Sequence, residues 1–163
     1  IAPVASADRV ARAHLDQGRE LASQKPPRLR DALDQLDEAV RLGPHLQEAW
    51  ALRGWVHERR KEYAETIRDC TRAIELDAKD GGSFANRGSA HFRLRAYDDA
   101  IRDCTRAIEL DARNVSGWCM RALAREQKKD YAGAASDMER VIELSPDRPE
   151  FVKMRDRMRG KAN

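Results

Sequence analysis

Histidine and cysteine are the residues of this sequence best suited to metal or redox chemistry, and they are scattered along it. His57 and His91 lie 34 residues apart, but a zinc site would need them together with cysteine or carboxylate ligands in tetrahedral reach. Cys70, Cys104 and Cys119 form no Cys-x-x-Cys motif, the spacing that stabilises a thiolate. We therefore predict no metal site and no redox centre. Instead, we expect the two histidines to pack against neighbouring side chains at equivalent positions, and Cys70 and Cys104 to be small buried apolar side chains.

The sequence also lacks the motifs through which enzymes bind phosphate groups or activate a nucleophile. It contains no glycine-rich phosphate loop, no Gly-x-Ser-x-Gly and no His-Glu-x-x-His. We predict that the chain is not an enzyme and that it holds no cofactor.

The charges are nearly balanced, with 31 lysine and arginine residues against 28 aspartate and glutamate residues. Arginines alternate with acidic residues at helical spacing, and no aromatic side chains lie among them to stack on bases. This pattern is typical of a solvated surface, so we predict no nucleic-acid partner. The arginines concerned are Arg68, Arg72, Arg102, Arg106 and Arg140.

No apolar run approaches the length of a membrane-spanning helix, and no signal-peptide core is visible, so no membrane partner is predicted. Three cysteines without a disulfide pattern favour a reducing compartment, and the expected location is cytoplasmic. The sequence begins with Ile1 rather than methionine. We therefore expect a longer chain, in which a signal or an anchor could precede these residues.

An internal repeat positions all of these side chains. The segment RDCTRAIELDA occurs at 68–78 and again, unchanged, at 102–112. In repeats counted from Gln47, Gly81 and Val115, position 4 is a large aromatic, positions 8 and 20 are small, and position 17 is tyrosine. A repeat of this length predicts stacked helix pairs, because one pair cannot bury its own apolar face. In order, these positions hold Trp50, Phe84 and Trp118; Gly54, Gly88 and Ala122; Thr66, Ala100 and Ala134; and Tyr63, Tyr97 and Tyr131.

Each repeat is predicted to form two amphipathic helices with a break between them. The small residues at positions 8 and 20 are expected where the two helices cross, because only a short side chain lets the backbones approach to about 8–9 Å. A last helix is predicted to run to about Arg159 with Gly160 as its stop, which gives nine helices and no strand. The three breaks are predicted at Lys61-Glu62, Arg95-Ala96 and Lys129-Asp130.

An arginine at position 7 accompanies an aspartate at position 23 in each of these repeats. We interpret them as ion pairs that join the two helices of one repeat. If partly exposed, each pair would contribute only about 0–1 kcal/mol. The predicted pairs are Arg53–Asp69, Arg87–Asp103 and Arg121–Asp137.

Trp50, Gly54, the small residues at positions 20 and 27 and a proline near position 32 form a pattern that resembles the tetratricopeptide repeat. The resemblance covers Gln47–Arg148. It implies an all-α fold, a right-handed superhelical solenoid of antiparallel helix pairs. The sequence departs from the family at position 7, which is arginine rather than leucine, and at position 11, where histidine or arginine stands in place of tyrosine.

We predict one domain over residues 1–163, made of four repeats and a capping helix. A looser first repeat occupies residues 11–46, after an N-terminal extension at 1–10. The other repeats occupy 47–80, 81–114 and 115–148, and the capping helix occupies 149–163.

The resemblance also implies that the first helix of each repeat lines a concave face. Apolar side chains on that face, with arginines at its rim, predict a groove for an extended peptide or a helix of another protein. Alternatively, the apolar strip packs under a C-terminal extension or against another copy of the chain, or the repeats form an accessory domain of a larger enzyme or co-chaperone. The predicted contact residues are Trp55, Arg59, Asn86, Ser89, Phe92, Arg93, Met120, Leu123 and Gln127.

One subclass of the family clamps the C-terminal carboxylate of heat-shock chaperones. On the second to fourth repeats, the positions of that clamp hold Ala51, Trp55, Asn86, Ser116 and Met120. Only Asn86 matches, and none of the residues matches when the clamp is placed on the first three repeats. A carboxylate clamp is therefore not expected.

Overall fold

A computed structural model describes the backbone of residues 2–162 and the side chains of residues 6–162. Within these limits the chain forms nine α-helices and no strand. The all-α class and the number of helices predicted from the sequence are confirmed. The helices are α1 (Ala2–Ser23), α2 (Leu29–Leu42), α3 (Gln47–Arg59), α4 (Tyr63–Leu76), α5 (Gly81–Arg93), α6 (Tyr97–Leu110), α7 (Val115–Gln127), α8 (Tyr131–Leu144) and α9 (Pro149–Ala162).

The turns inside the three regular repeats lie at the predicted breaks. Their central residues adopt the left-handed conformation, with φ of 64°, 63° and 64° at Lys61, Arg95 and Lys129. In the first turn, the N–H of Lys61 donates to the carbonyl of Glu58 and the N–H of Glu62 donates to that of His57, both at 2.9 Å. This pairing closes the end of α3 as a Schellman motif, in which glycine is the usual residue at the left-handed position.

The chain forms two compact units, which we call the N-terminal unit, ending at Asn86, and the C-terminal unit, beginning at Arg87. In the N-terminal unit, α1 packs on α2, α2 on α3 and α3 on α4. A Cβ added to Gly54 would lie 2.8 Å from Cys70 Sγ and 3.3 Å from the Cys70 backbone nitrogen. The backbones of α3 and α4 therefore meet at position 8, as predicted.

In the C-terminal unit, α6 packs on α7, α7 on α8 and α8 on α9. A Cβ at Gly88 would lie 2.6 Å from Cys104 Sγ, which confirms a second crossing at position 8. Cys70 and Cys104 are both fully buried, as expected of apolar side chains. Burial raises the pKa of the Cys104 thiol to about 12, so this sulfur stays protonated and unreactive.

The first and last helices extend further than the sequence suggested. The backbone is helical from Ala2, within the segment predicted as an extension, so α1 has 22 residues. The prediction that Gly160 ends α9 is wrong, because the helix continues to Ala162. An exposed glycine weakens a helix by about 0.5–1 kcal/mol but does not terminate it. Over the stretch that the structure covers, no helix is both long and apolar enough to cross a membrane.

Candidate functional site

The ion pairs predicted between positions 7 and 23 are all formed. Arg53 donates through Nε and Nη2 to the two carboxylate oxygens of Asp69, at 2.7 and 2.8 Å. Such twin hydrogen bonds fix the orientation of both side chains, and therefore of the two helices that carry them. The same arrangement, at 2.7 to 2.9 Å, joins Arg87 to Asp103 and Arg121 to Asp137.

These pairs are buried, which corrects the expectation that they would be partly exposed. The side chain of Asp69 is 0% exposed and that of Arg53 is 12% exposed. The values for Asp137 and Arg121 are 3% and 11%. Removing one member of such a pair leaves an uncompensated buried charge and costs about 3–5 kcal/mol. These residues hold the two helices of each pair together.

A second basic side chain, at position 11, also faces the buried aspartate in each of the three regular repeats. Sequence reasoning missed this role, although the repeated pattern of a basic residue at 11 with aspartate at 23 was its signal. Among the described residues, no group of three or more histidine, cysteine, aspartate or glutamate side chains is placed to hold a metal ion. His57 Nε2 lies 3.6 Å from Asp69 Oδ2, His91 Nε2 lies 3.7 Å from Asp103 Oδ2, and Arg125 Nη1 donates to Asp137 Oδ2 at 2.8 Å.

The arginines of the second helices are paired along their own helices. Arg72 contacts Glu75 at 2.9 Å and Arg106 contacts Glu109 at 3.0 Å, each three residues further on. These pairs are exposed and alternate in sign, as on a solvated helix face.

A cleft lies beside the first helices α1 and α3 of the N-terminal unit. Its apolar end has a volume of about 360 Å³ and is lined by Arg19, Ala22, Ser23, Leu52 and Trp55. Its polar end has a volume of about 410 Å³ and shares Arg19 and Leu52 with the apolar end. The first helices α1 and α3 thus form one continuous depression that ends at the start of α5. The polar end is lined by Arg19, Gln47, Glu48, Ala51, Leu52, Asp77, Asp80, Gly82, Ser83 and Asn86.

Three of the predicted contact residues lie in or beside this cleft. Trp55 lines its apolar end and Asn86 its polar end. The Arg59 guanidinium lies 5.6 Å from the centre of the Trp55 ring, a cation–π contact that holds both side chains at the rim. The predicted set lacked Asp77 and Asp80, because these residues belong to the end of α4 and the turn after it rather than to a first helix.

The remaining predicted residues belong to the C-terminal unit. Phe92 packs on Tyr97, with the ring centres 5.8 Å apart, and Leu123 packs partly against the core of this unit. Ser89 is only 8% exposed, so it offers little surface. Met120 is half-buried, and Arg93 and Gln127 are exposed. Their use in binding stays a prediction.

Residues 28–81 and 86–149 match the sequence profile of the tetratricopeptide repeat, which is well over half of the chain. The chain belongs to the tetratricopeptide repeat family. No curated protein sequence matches it significantly. In this chain the aspartate at position 23 is buried and faces two basic side chains from the preceding helix.

Solved tetratricopeptide repeat structures share this fold. MamA from Desulfovibrio magneticus RS-1 aligns with a TM-score of 0.82 at 12% identity, over 93% of this chain and 85% of its own. YrrB, a tetratricopeptide protein with an unusual peptide-binding site, aligns with a TM-score of 0.74 at 19% identity, over 89% and 74%. The first repeat domain of Spaghetti (RPAP3), bound to the HSP90 peptide SRMEEVD, aligns with a TM-score of 0.67 at 26% identity, over 70% and 90%.

Proposed function

We propose that this chain is a non-catalytic protein-interaction scaffold that binds an extended segment of another protein. The observation that carries the proposal is the continuous cleft beside α1 and α3 of the N-terminal unit. The proposal is supported by one tetratricopeptide neighbour, the first repeat domain of Spaghetti (RPAP3), which is bound to a peptide. The predicted contacts in the C-terminal unit, Phe92 and Met120 among them, are proposed separately as binding residues of that unit.

The apolar end of the cleft suits an apolar side chain of the partner. Leu52 and Trp55 pack on one side against the core of the N-terminal unit and remain partly accessible on the other. Large side chains held in this way are the anchors that dominate binding energy at interfaces, because they lose little freedom when a partner covers them. Asn86 carries an amide that is suited to hydrogen bonding with a peptide backbone.

Selection from a displayed library of random twelve-residue peptides tests the proposal and requires no natural partner protein. The most enriched peptide is then measured by fluorescence anisotropy against wild type and variants. Trp55→Ala is expected to weaken its binding by about 2 kcal/mol or more, roughly thirtyfold. Phe92→Ala reports on the C-terminal unit in the same assay.

Arg72→Ala, on a second helix and outside the cleft, is the matched control and should change the affinity by less than about twofold. Because Trp55 also contacts the core, thermal melts must show that the Trp55→Ala protein remains folded. The proposal is refuted if no peptide is enriched, or if Arg72→Ala weakens binding while Trp55→Ala does not. Light scattering on the free protein detects the competing outcome, in which the cleft is filled by another copy of the chain.

A further inference from the structure

We infer that the cleft of the N-terminal unit selects a basic partner segment, in which a lysine or arginine lies close in sequence to the apolar anchor. This inference rests on the proposed function and specifies the chemistry of its ligand. It follows from the charges at the polar end of the cleft and from the neutral groups that hydrogen-bond to them. The distance along α3 between the polar and apolar ends sets the spacing of the ligand.

The polar end of the cleft carries an excess of negative charge. Three carboxylates line it, those of Glu48, Asp77 and Asp80, against one guanidinium, that of Arg19. Arg19 is itself already paired, with Glu48 at 3.0 Å and with Asp16 at 3.2 Å. The one cation of the lining, Arg19, is therefore shared between Glu48 and Asp16. It does not neutralise the charges of Asp77 and Asp80.

The hydrogen bonds of these two aspartates come from neutral groups. Asp80 accepts from the side chain of Gln47 at 2.5 Å and from the backbone N–H and hydroxyl of Ser83 at 3.1 and 2.5 Å. Asp77 accepts from the N–H of Lys79 at 2.9 Å. Within the part of the chain that the structure describes, no cationic side chain lies at ion-pair distance from either. Neutral donors orient a carboxylate without cancelling its charge, so a cation of the partner can do so.

The negative charge at Asp80 is not needed for the fold. Asp80 precedes α5 and its Oδ1 accepts the N–H of Ser83, as a helix cap does. One repeat later the equivalent residue is Asn114, which caps α7 through the N–H of Gly117 at 2.8 Å. An asparagine therefore fills this structural role with no charge. The aspartate adds a charge that capping does not require, at a position that opens into the cleft.

The geometry of α3 sets the spacing of the ligand. Gln47, which is bonded to Asp80 at the polar end, and Trp55 at the apolar end are eight residues apart on this helix, which corresponds to about 12 Å. An extended peptide advances about 3.3 Å per residue. The basic side chain and the apolar anchor should therefore be three to four residues apart. The acidic SRMEEVD peptide that RPAP3 binds is expected to be a poor ligand here, because its carboxylates would face those of the cleft.

The random-library selection tests this inference directly. Enriched peptides should carry a lysine or arginine two to four residues from a large apolar residue, and glutamate and aspartate should be depleted. The synthetic peptide SRMEEVD serves as the acidic probe and should bind at least tenfold more weakly than the best enriched peptide. Selection of acidic or uncharged peptides would overturn the inference while leaving the proposed function standing. A library that yields no binder at all would instead overturn the proposed function.

A charge-removing double variant locates the effect. Asp77→Asn with Asp80→Asn keeps the hydrogen-bond acceptors and should weaken the best basic peptide about tenfold or more. Asp111→Asn is the matched control, because Asp111 is the equivalent of Asp77 one repeat later and accepts the N–H of Arg113 at the same 2.9 Å. It should leave the affinity unchanged. Equal binding by wild type and the double variant, or equal losses in the double variant and the control, would contradict the inference.

Discussion

The helix pairs α3–α4 and α7–α8 solve the same electrostatic problem with different residues. Both bury an aspartate at position 23 and hold it with an arginine at position 7. In the first pair the second basic residue is His57, 3.6 Å from the carboxylate, whereas in the other it is Arg125, whose guanidinium donates to the carboxylate at 2.8 Å. The comparison shows that the burial of the acid is a property of the repeat, while the strength of its second contact differs between the two.

The largest difference between the two helix pairs is expected when the arginine at position 7 is removed from each. Arg53→Ala leaves the fully buried Asp69 with two longer contacts, to His57 at 3.6 Å and to Arg68 at 3.8 Å, and should lower the free energy of unfolding by about 3–5 kcal/mol. Arg121→Ala leaves Asp137 bonded to Arg125, so the loss should be about 1–3 kcal/mol. Both variants lose the same stacking of arginine on tryptophan, at 4.8 Å. The difference between their free energies of unfolding in urea therefore reports on the remaining contacts of the carboxylate.

His57→Arg provides the control for this difference. Combined with Arg53→Ala, it should restore part of the lost stability by supplying the contact that Arg125 makes in the other pair. Equal losses in the two single variants would show that the second cation does not compensate.

A smaller effect is expected at the helix crossing, where position 8 is Gly54 in one pair and Ala122 in the other. Gly54→Ala places a methyl group 2.8 Å from Cys70 Sγ and should cost about 1–3 kcal/mol. Ala122→Gly should cost about 1 kcal/mol, through the flexibility of glycine in a helix. Removing the sulfur with Cys70→Ala should reduce the cost of Gly54→Ala, as measured by thermal unfolding. If it does not, the clash is with the backbone alone.

The terminal helices of the two units should respond differently to acid. Glu126 is buried and accepts hydrogen bonds from Arg157 and Lys161 of α9. Burial raises the pKa of Glu126, but these hydrogen bonds outweigh it and lower the pKa below its ordinary value. A carboxylate with a lowered folded pKa stabilises the fold above its unfolded pKa, near 4.3, and loses this contribution as pH falls through the folded pKa.

Protection against hydrogen exchange, relative to the intrinsic exchange rate at each pH, should therefore fall more in α9 than in α1 below about pH 4.5. Helix α1 is held mainly by apolar contacts, among them the fully buried Ala11 and the nearly buried Leu15, and its contact between Arg19 and Glu48 is exposed. Glu126→Gln should loosen α9 already at neutral pH. An equal loss of protection in both helices would argue against a specific role for the carboxylate.

The smallest effect should be the same in both pairs. Lys61 and Lys129 adopt the left-handed conformation that glycine reaches without strain. Lys61→Gly and Lys129→Gly should each stabilise the protein by about 0.5–1 kcal/mol, the strain removed minus the added flexibility of the unfolded chain. Chemical denaturation of each variant measures this gain in the free energy of unfolding. A loss of stability at either site would show that the lysine side chain makes a contribution larger than the strain.

The repeat made much of the fold predictable. Three features recur every 34 residues: the turn residues, the small residues at the helix crossings and the arginine–aspartate pairs. Each is a weak indication of structure in one repeat, but its recurrence at the same position in the other repeats makes the prediction firm. The burial of Asp69 was not predictable in this way, since solvent exposure depends on how neighbouring helices cover the pair. The role of His57 was overlooked because histidine was compared with the tyrosine usual at its position rather than with the aspartate twelve residues later.

The cleft was only partly predictable. Trp55 and Asn86 follow from the inner-face positions of a first helix, which periodicity identifies. Asp77 and Asp80 come from the segment between α4 and α5, where no periodicity assigns a face. Their role could be inferred only from the structure, in which neutral groups donate the hydrogen bonds to both carboxylates. Among the described residues, no cationic side chain lies at ion-pair distance from either.

The buried aspartate also bears on how the array can grow. In each of the three regular repeats the acid at position 23 contacts an arginine at position 7 and a second basic side chain at position 11 within the same 34 residues. Duplication or deletion of one whole repeat thus adds or removes an acid together with both of its partners. The number of repeats can change during evolution without stranding a charge in the interior, where an unpaired one would cost several kcal/mol.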